Sequence, residues 1–302
     1  MENEPFHEPV LLPKVLEFLR LCGKMEKIVD CTLGLGGYSE EFLRTFPNAQ
    51  VYAMDRDPRA VELSRGRLLD YGSRFKALHG NFGEAEKILA EFAPFDALVF
   101  DLGVSNMQLA EAERGFSFQN DGPLDMRMNP QGAQKAAADV LNSLSEAELA
   151  EIFWLYGEER FSRRIARGIE DHRKHGGALR TTNELVGLIR DVLPAPVQRK
   201  MGGHPARRVF QALRIYVNDE LGELEAALAS IRKISSPGAI VAIVSYHSLE
   251  DRIVKHTFRA WAKEEKWGDI LTKHPVLPDP EEIERNHKAR SAKLRVFRRI
   301  DR

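Results

Sequence analysis

A parallel α/β sheet interrupted by an inserted helical segment is the fold that this 302-residue sequence predicts. Up to residue 101, short apolar runs alternate with helical patterns four times. A fifth apolar run, residues 239–244, follows only after residues 102–207, which contain no convincing strand. Alternating strands and helices are typical of a parallel sheet covered by helices, and the interruption indicates an insertion between the fourth and fifth strands.

The individual elements follow from hydrophobic periodicity and from capping residues. Asp57 and Pro58, for example, are a typical N-cap and first residue of a helix. We expect strands at residues 27–30, 50–54, 75–79, 95–100, 239–244 and 293–300. We expect helices at residues 8–21, 38–46, 58–70, 83–92, 134–142, 145–156, 158–173, 181–192, 207–233 and 248–264. The sheet domain is therefore predicted at 1–105 and 208–302, and the helical insertion at 106–207.

The composition is ordinary for a soluble globular protein, with 43% hydrophobic and 29% charged residues. No apolar run approaches the ~20 residues that span a bilayer, and the N-terminus lacks a signal-peptide pattern. The two cysteines, Cys22 and Cys31, show no metal-ligand spacing. We therefore expect no metal site, no membrane partner and a reducing, cytoplasmic location.

A glycine-rich turn follows the first strand. Gly34, Gly36 and Gly37 lie between Asp30, where the strand ends, and a helical pattern that begins near Tyr38. A strand, a glycine turn and a helix N-terminus form the place where open α/β sheets bind nucleotide-like ligands. The second strand ends at Asp55, and a carboxylate there can accept hydrogen bonds from the two hydroxyls of a ribose.

Two ligand classes fit this turn, and a purely structural turn is a third alternative. A dinucleotide site wants G-x-G-x-x-G, but the third glycine is absent here because Ser39 occupies that position. Asp30 would also repel a pyrophosphate. An acid suits a ligand that carries an ammonium and a sulfonium group, so S-adenosyl-L-methionine is the favoured ligand.

Four of the predicted parallel strands end at Asp30, Asp55, the pair Asn81 and Phe82, and Asp101, all of which are polar except Phe82. The carboxyl ends of parallel strands meet at one edge of the sheet, where ligands of such folds bind. The sequence therefore predicts one polar site assembled from all four strand ends.

Basic residues are concentrated in the predicted insertion although the net charge is only −1. Residues 160–214 contain thirteen Lys and Arg against four acidic residues, and residues 285–302 contain eight against one. Such runs are often solvated faces, but two of them in one chain favour a polyanionic partner.

The ordered motifs of the chain resemble those of the bacterial 16S ribosomal RNA cytosine-N4 methyltransferases, the MraW/RsmH family. The resemblance covers essentially the whole chain. Its motifs lie at residues 7–12, 32–39, 54–58 (MDRDP), 101–105, 113–118, 121–128 (DGPLDMRM), 156–160, 210–215, 217–221, 247–252 (HSLEDR) and 289–295. Tyr38 stands where the family usually has His.

The resemblance implies a Rossmann-like class I methyltransferase sheet, a helical insertion that helps to recognise RNA, and S-adenosyl-L-methionine as methyl donor. It implies N4-methylation of a cytidine in the decoding region of small-subunit ribosomal RNA, presented as RNA or as the 30S particle. The cofactor positions carried over from the family are Gly36, Gly37, Tyr38, Asp55, Phe82, Asp101 and Gln108, and Gly34 is added from the turn. Oligomeric state stays open, a homodimer being one alternative.

Roles nearer the chemistry are hypotheses. Asp101 is the candidate to orient or deprotonate an amino group. His247 either acts in catalysis, by contacting the base or accepting its proton, or caps the following helix. Asp125 and Arg127 either contact substrate or pair with each other, and Arg163 and Arg164 are the candidate phosphate contacts. Two other functions remain open, a non-catalytic ribosome assembly factor and an amino methyltransferase that acts on another nucleic acid.

Overall fold

The computed structural model describes residues 9–300, which form two compact units. The first unit comprises the chain up to Gly103 and from Leu221 onward, and the second is Val104–Glu220. Seven strands belong to the first unit: β1 (Lys27–Asp30), β2 (Gln50–Asp55), β3 (Phe75–His79), β4 (Phe95–Asp101), β5 (Ser235–Ser245), β6 (Gly268–Ile270) and β7 (Lys293–Arg299).

Fourteen α-helices occur among residues 9–300. Four precede the second unit: α1 (Leu12–Leu19), α2 (Gly37–Thr45), α3 (Pro58–Arg67) and α4 (Ala85–Leu89). Seven belong to the second unit: α5 (Asn106–Ala110), α6 (Ala137–Ser143), α7 (Glu146–Gly157), α8 (Ser162–His175), α9 (Thr182–Val192), α10 (Ala195–Lys200) and α11 (Arg207–Asn218). Three follow: α12 (Glu220–Ile234), α13 (Ser248–Lys263) and α14 (Pro280–Arg285). None of the described helices is long and apolar enough to cross a bilayer.

The seven strands form one sheet in the order β3-β2-β1-β4-β5-β7-β6. β1 to β5 run parallel, and β7 is antiparallel to both of its neighbours. The strand order reverses between β1 and β4, and ligands of open α/β sheets bind at such a switch point. The predicted Rossmann-like sheet with a helical insertion is confirmed. β6 was missed because three residues carry too little periodicity to be recognised.

Both faces of the sheet are buried, and successive strand residues alternate between them. Ile28, Val51 and Val99 contribute to a core that includes residues of α1 and α2. Val29 and Leu98 face the opposite core, which includes residues of α12 and α13. Continuous apolar strands such as β4 are expected where a parallel sheet is covered on both sides.

The predicted single helix over residues 207–233 is wrong, because the chain forms two helices there. Asp219 separates α11 from α12 and adopts a left-handed backbone conformation with φ of 48°. Val209, Phe210 and Leu213 of α11 belong to the core of the second unit. That unit therefore extends to Glu220, beyond the predicted boundary at residue 207, since hydrophobic periodicity continues across a one-residue break and does not reveal it.

Candidate cofactor and active site

The glycine turn is bound to the end of β2 by backbone contacts. The Gly34 amide donates to Asp55 Oδ2 at 2.8 Å, and the Leu33 amide donates to the Met54 carbonyl at 2.9 Å. Gly36 is the N-cap of α2 and has φ of 82°. A Cβ atom at Gly36 would make a tight contact of 3.1 Å with Leu68 Cδ1 at the end of a flexible side chain, so the left-handed backbone conformation is the main reason for glycine at this position. Gly37 follows as the first residue of α2.

Asp55 organises this turn from the end of β2. Its Oδ1 accepts the Asp57 amide at 2.9 Å while Oδ2 accepts that of Gly34. Burial raises the pKa of Asp55, and the two amides oppose that shift. Each carboxylate oxygen has two acceptor sites, so Asp55 keeps acceptor capacity for ligand hydroxyls after both amide bonds are made.

Asp30, at the end of β1, is fully buried. The Ser39 hydroxyl donates to its Oδ2 at 2.7 Å, and the Thr32 amide donates to its Oδ1 at 3.2 Å. Burial nevertheless raises the pKa of Asp30 to about 6. Asp30 thus places a carboxyl group with a near-neutral pKa beneath the turn.

Asp101 ends β4, next to β1, and is held on two sides. Its amide donates to Thr32 Oγ1 at 2.7 Å, and the Tyr246 hydroxyl donates to Asp101 Oδ1 at 2.6 Å. Burial raises the pKa of Asp101 to about 7, against the lowering effect of the Tyr246 hydrogen bond. A carboxyl group that titrates near neutral pH suits proton transfer to and from an amine.

Tyr246 was not among the predicted site residues, although it directly follows β5. Val244 is paired with Asp101 in the parallel register of β5 and β4, and Tyr246 lies two residues beyond. Residues two apart in extended chain point to the same side. The adjacency of these strands could have revealed Tyr246, but adjacency is not readable from the sequence.

Tyr38 and Phe82, two predicted cofactor contacts, are largely engaged inside the protein. The Tyr38 side chain is buried, and its hydroxyl donates to the carbonyl of Val10. The predicted contact of Tyr38 with the cofactor is therefore restricted to its backbone atoms. Phe82 follows β3, is half-buried and meets the Phe100 ring edge-on at 5.8 Å, so part of its surface remains accessible.

His247 is the N-cap of α13. Its Nδ1 accepts the Glu250 amide at 3.5 Å, and its Nε2 lies 3.1 Å from Glu250 Oε1. Glu250 Oε2 in turn accepts the His247 amide at 3.3 Å. Both ring nitrogens therefore face the first turn of α13. This is the capping arrangement, one of the two alternatives that the sequence allows for His247; the other is a catalytic role.

Three predicted contacts near the start of the second unit are engaged in internal interactions. Gln108 is buried, and its Oε1 accepts the Ser105 amide at 3.1 Å in the capping box of α5. Arg127 forms a two-bond ion pair with Asp125, Nε to Oδ1 at 2.8 Å and Nη2 to Oδ2 at 2.7 Å. The internal pair that stood as the alternative for Asp125 and Arg127 is thus present.

The basic residues at the start of the 160–214 run differ in their surroundings. Arg163 and Arg164 are exposed on the first turn of α8, and neither has an acidic partner among residues 9–300. Arg160 precedes the helix, and Arg167 Nε lies 3.5 Å from Glu146 Oε1 on α7. Periodicity within α8 cannot show an acid that a neighbouring helix supplies.

The first unit thus brings together a glycine turn and three strand-end carboxyl groups of β1, β2 and β4. Gly34, Asp30, Asp55 and Asp101 are connected through Thr32 and by the contacts given above. Acceptors for hydroxyl and amino groups are combined with a turn in which Gly36 has a left-handed backbone conformation. This donor and acceptor set fits S-adenosylmethionine better than a pyrophosphate, which the carboxylates would repel.

Comparisons with known proteins agree with this geometry. The model of the MraW methylase family matches residues 4–300. Ribosomal RNA small subunit methyltransferase H from Methylobacterium nodulans is 44% identical over 319 residues, covering 100% of this chain and 92% of the relative. The protein of that name from Cyanothece sp. is 45% identical over 301 residues, covering 100% and 97%. The one from Halothermothrix orenii is 42% identical over 311 residues, covering 97% and 98%.

A match over nearly the whole chain, at this identity, accounts for the sheet, the glycine turn and the helical insertion together. The chain belongs to the MraW methylase family, and it is an S-adenosyl-L-methionine-dependent methyltransferase with a Rossmann-like sheet.

Proposed function

We propose that this protein methylates the N4 atom of a cytidine in the decoding region of small-subunit ribosomal RNA. One observation carries the proposal: the carboxyl groups of Asp30 and Asp55 and the backbone amide of Asp101 are hydrogen-bonded to residues in and beside one glycine turn, in a chain that matches small-subunit RNA methyltransferases over its whole length. The cytoplasm is the corresponding location, and RNA or the 30S particle the partner.

S-adenosylmethionine, when bound, supplies an activated methyl group on its sulfonium sulfur. Asp55 accepts hydrogen bonds from the ribose hydroxyls, and Gly34, Gly36 and Gly37 contribute backbone contacts. Phe82 offers the accessible part of its ring for stacking on adenine. Gln108 and the Tyr38 backbone complete the proposed cofactor positions.

Asp101 acts on the amine. The lone pair of the cytosine amino group is delocalised into the ring, which makes it a weak nucleophile. Asp101 Oδ2 has no hydrogen-bond partner among the described residues, whereas Oδ1 is occupied by Tyr246. In the proposed mechanism, Oδ2 accepts a hydrogen bond from the amino group and then its proton, as the new N–C bond forms and the C–S bond breaks.

The second unit supplies the RNA contacts. Arg163 and Arg164 present positive charge to solvent and have no acidic partner among residues 9–300, as phosphate contacts require. Asp125 and Arg127 form a partly exposed ion pair whose remaining acceptor and donor sites are proposed to contact the substrate. A matched control for the arginine pair is Arg232 with Lys233, because each of these has an acidic partner.

Mass spectrometry of nucleosides from small-subunit RNA tests the proposal. RNA from cells that lack the gene should lose N4-methylcytidine at one position, and the purified protein should restore it in the presence of S-adenosylmethionine. Loss of a modified base from DNA instead would identify the other amino methyltransferase. An unchanged nucleoside profile with defective 30S assembly would favour the non-catalytic assembly factor.

A further inference from the structure

The hydroxyl of Tyr246 donates a hydrogen bond to only one of the two oxygens of the Asp101 carboxylate. It donates to Oδ1 at 2.6 Å, while Oδ2 has no hydrogen-bond partner among the described residues. Asp101 as a residue is half-buried. A carboxylate held in this way presents one oxygen in a defined direction.

Tyr246 itself is rigidly held. Its amide donates to Oε2 of the buried Glu250 at 2.8 Å. Its ring packs against the core that includes Val244 and Leu294. Contacts of the backbone and of the ring therefore fix the position of the hydroxyl beside the carboxylate.

From this geometry we infer that Tyr246 is a positioning residue of the methyl-transfer site, which orients Asp101 and keeps Oδ2 available as the acceptor for the amino group. The inference rests on the proposed function for its chemistry, but the contact itself does not. Tyr246 does not exchange the proton, because burial and the nearby Asp101 carboxylate raise the pKa of its phenol well above the usual value.

Several charged and titratable groups share the surroundings of Asp101. Its pKa is raised by Asp30 and Glu250 and lowered by Lys288, in addition to the effects of burial and of Tyr246. Asp101 in turn raises the pKa of the buried Tyr38 phenol. Only Tyr246 among these groups donates a hydrogen bond from its side chain to Asp101 in the described contacts. Removing that one hydroxyl is consequently the most specific perturbation of the carboxylate.

The first test uses Tyr246→Phe and needs no RNA. The Asp101 carboxyl is titrated by NMR with ¹³C-labelled aspartate, and its signal is assigned by its absence in Asp101→Asn. Loss of a hydrogen bond to the charged form should raise the pKa of Asp101 by about one unit. Tyr52→Phe is the matched control, because that hydroxyl donates to Gln50 at 2.9 Å on β2. An unchanged pKa in Tyr246→Phe would overturn the inference.

The second test measures single-turnover methylation between pH 6 and pH 9. With the Asp101 pKa one unit higher, the rate of Tyr246→Phe should be about tenfold lower at pH 6 and nearly normal at pH 9. In an Asp101→Asn background, Tyr246→Phe should cause no further loss, since it acts through that carboxylate. An equal loss at every pH, or the same loss in the Asp101→Asn background, would show an independent structural role.

Two further outcomes are informative. If wild type methylates no small-subunit RNA while the carboxyl titration still responds to Tyr246→Phe, the proposed function fails and the positioning of Asp101 stands. If near-UV circular dichroism shows that Tyr246→Phe does not fold, 3-fluorotyrosine at position 246 replaces it. Its more acidic hydroxyl is a stronger donor and should lower the Asp101 pKa, and no change would refute the inference.

Discussion

Replacement of Asp55 by alanine removes the acceptor of two backbone amides as well as the predicted ribose ligand. Gly34 and Asp57 donate to its two oxygens at 2.8 and 2.9 Å. We therefore expect Asp55→Ala to lower both the stability of the fold and the affinity for S-adenosylmethionine. The two effects are separable, because only one of them depends on the ligand.

The magnitude follows from the bonds lost. A hydrogen bond to a charged group contributes about 1.5–3 kcal/mol, so the loss of one ribose bond should weaken cofactor binding about ten- to a hundredfold. The two amides left without acceptors should each cost about 1–3 kcal/mol of unfolding free energy where water cannot replace Asp55.

Asp96 provides a matched control at the other edge of the sheet. Its Oδ2 accepts the amides of Glu26 and Lys27 at 2.8 and 2.9 Å, near the start of β4. Asp96→Ala should therefore lower the unfolding free energy in urea by a similar amount and leave cofactor affinity unchanged. Isothermal titration calorimetry measures that affinity. An unchanged dissociation constant in folded Asp55→Ala would refute the assignment of Asp55 to the cofactor.

Three other predictions concern charge. Asp101→Asn should leave the melting temperature within a few degrees of wild type and lower the single-turnover methylation rate by about 10²–10⁴-fold, since the amide cannot take a proton; full activity would make Asp101 structural only. The pKa of Asp30 is about 6 in the folded protein, above its usual value of 3.8, so the folded state binds the proton more tightly than the unfolded chain does. The unfolding free energy of wild type, measured in urea, should therefore fall as the pH rises from about 4 to about 6. In Asp30→Asn, the fall over the same pH range should be smaller. Arg163→Ala with Arg164→Ala should reduce the slope of log RNA affinity against log salt by about 1.4–1.8 in filter binding, whereas the control pair Arg232 and Lys233 should not change it; equal slopes would show a solvated face.

Much of the fold follows from local patterns. The continuous apolar run of β4 predicts a strand buried on both faces, and Asp57 with Pro58 predicts the start of α3, where the structure has it. The predictions of secondary structure are wrong where the hydrophobic pattern is too short to recognise or where it continues across a break between two helices. β6 is too short to show a period, and Asp219 interrupts an apolar pattern that continues on both sides.

The predicted site residues likewise include some that local patterns identify and others whose partners the sequence does not reveal. Gly36 and Asp55 are marked by their positions after strands, since a glycine turn and an acidic strand end have few other uses together. The ion pair of Asp125 and Arg127 was recognised only as one of two alternatives, because both uses require the same residue types. Spacing in the sequence predicts which residues can meet, not which partner a side chain selects.

The strand–helix alternation, the glycine turn and the acidic strand ends can be predicted from the residues alone, because they depend on periodicity and on backbone conformation within a few residues. The position of β4 beside β5, which lets the Tyr246 hydroxyl reach Asp101 across 145 residues of chain, follows from tertiary packing. The same holds for the ion pair of Arg167 with Glu146, which lies on another helix. Hydrogen bonds and ion pairs depend on distances of a few ångströms, and packing between distant segments sets those distances.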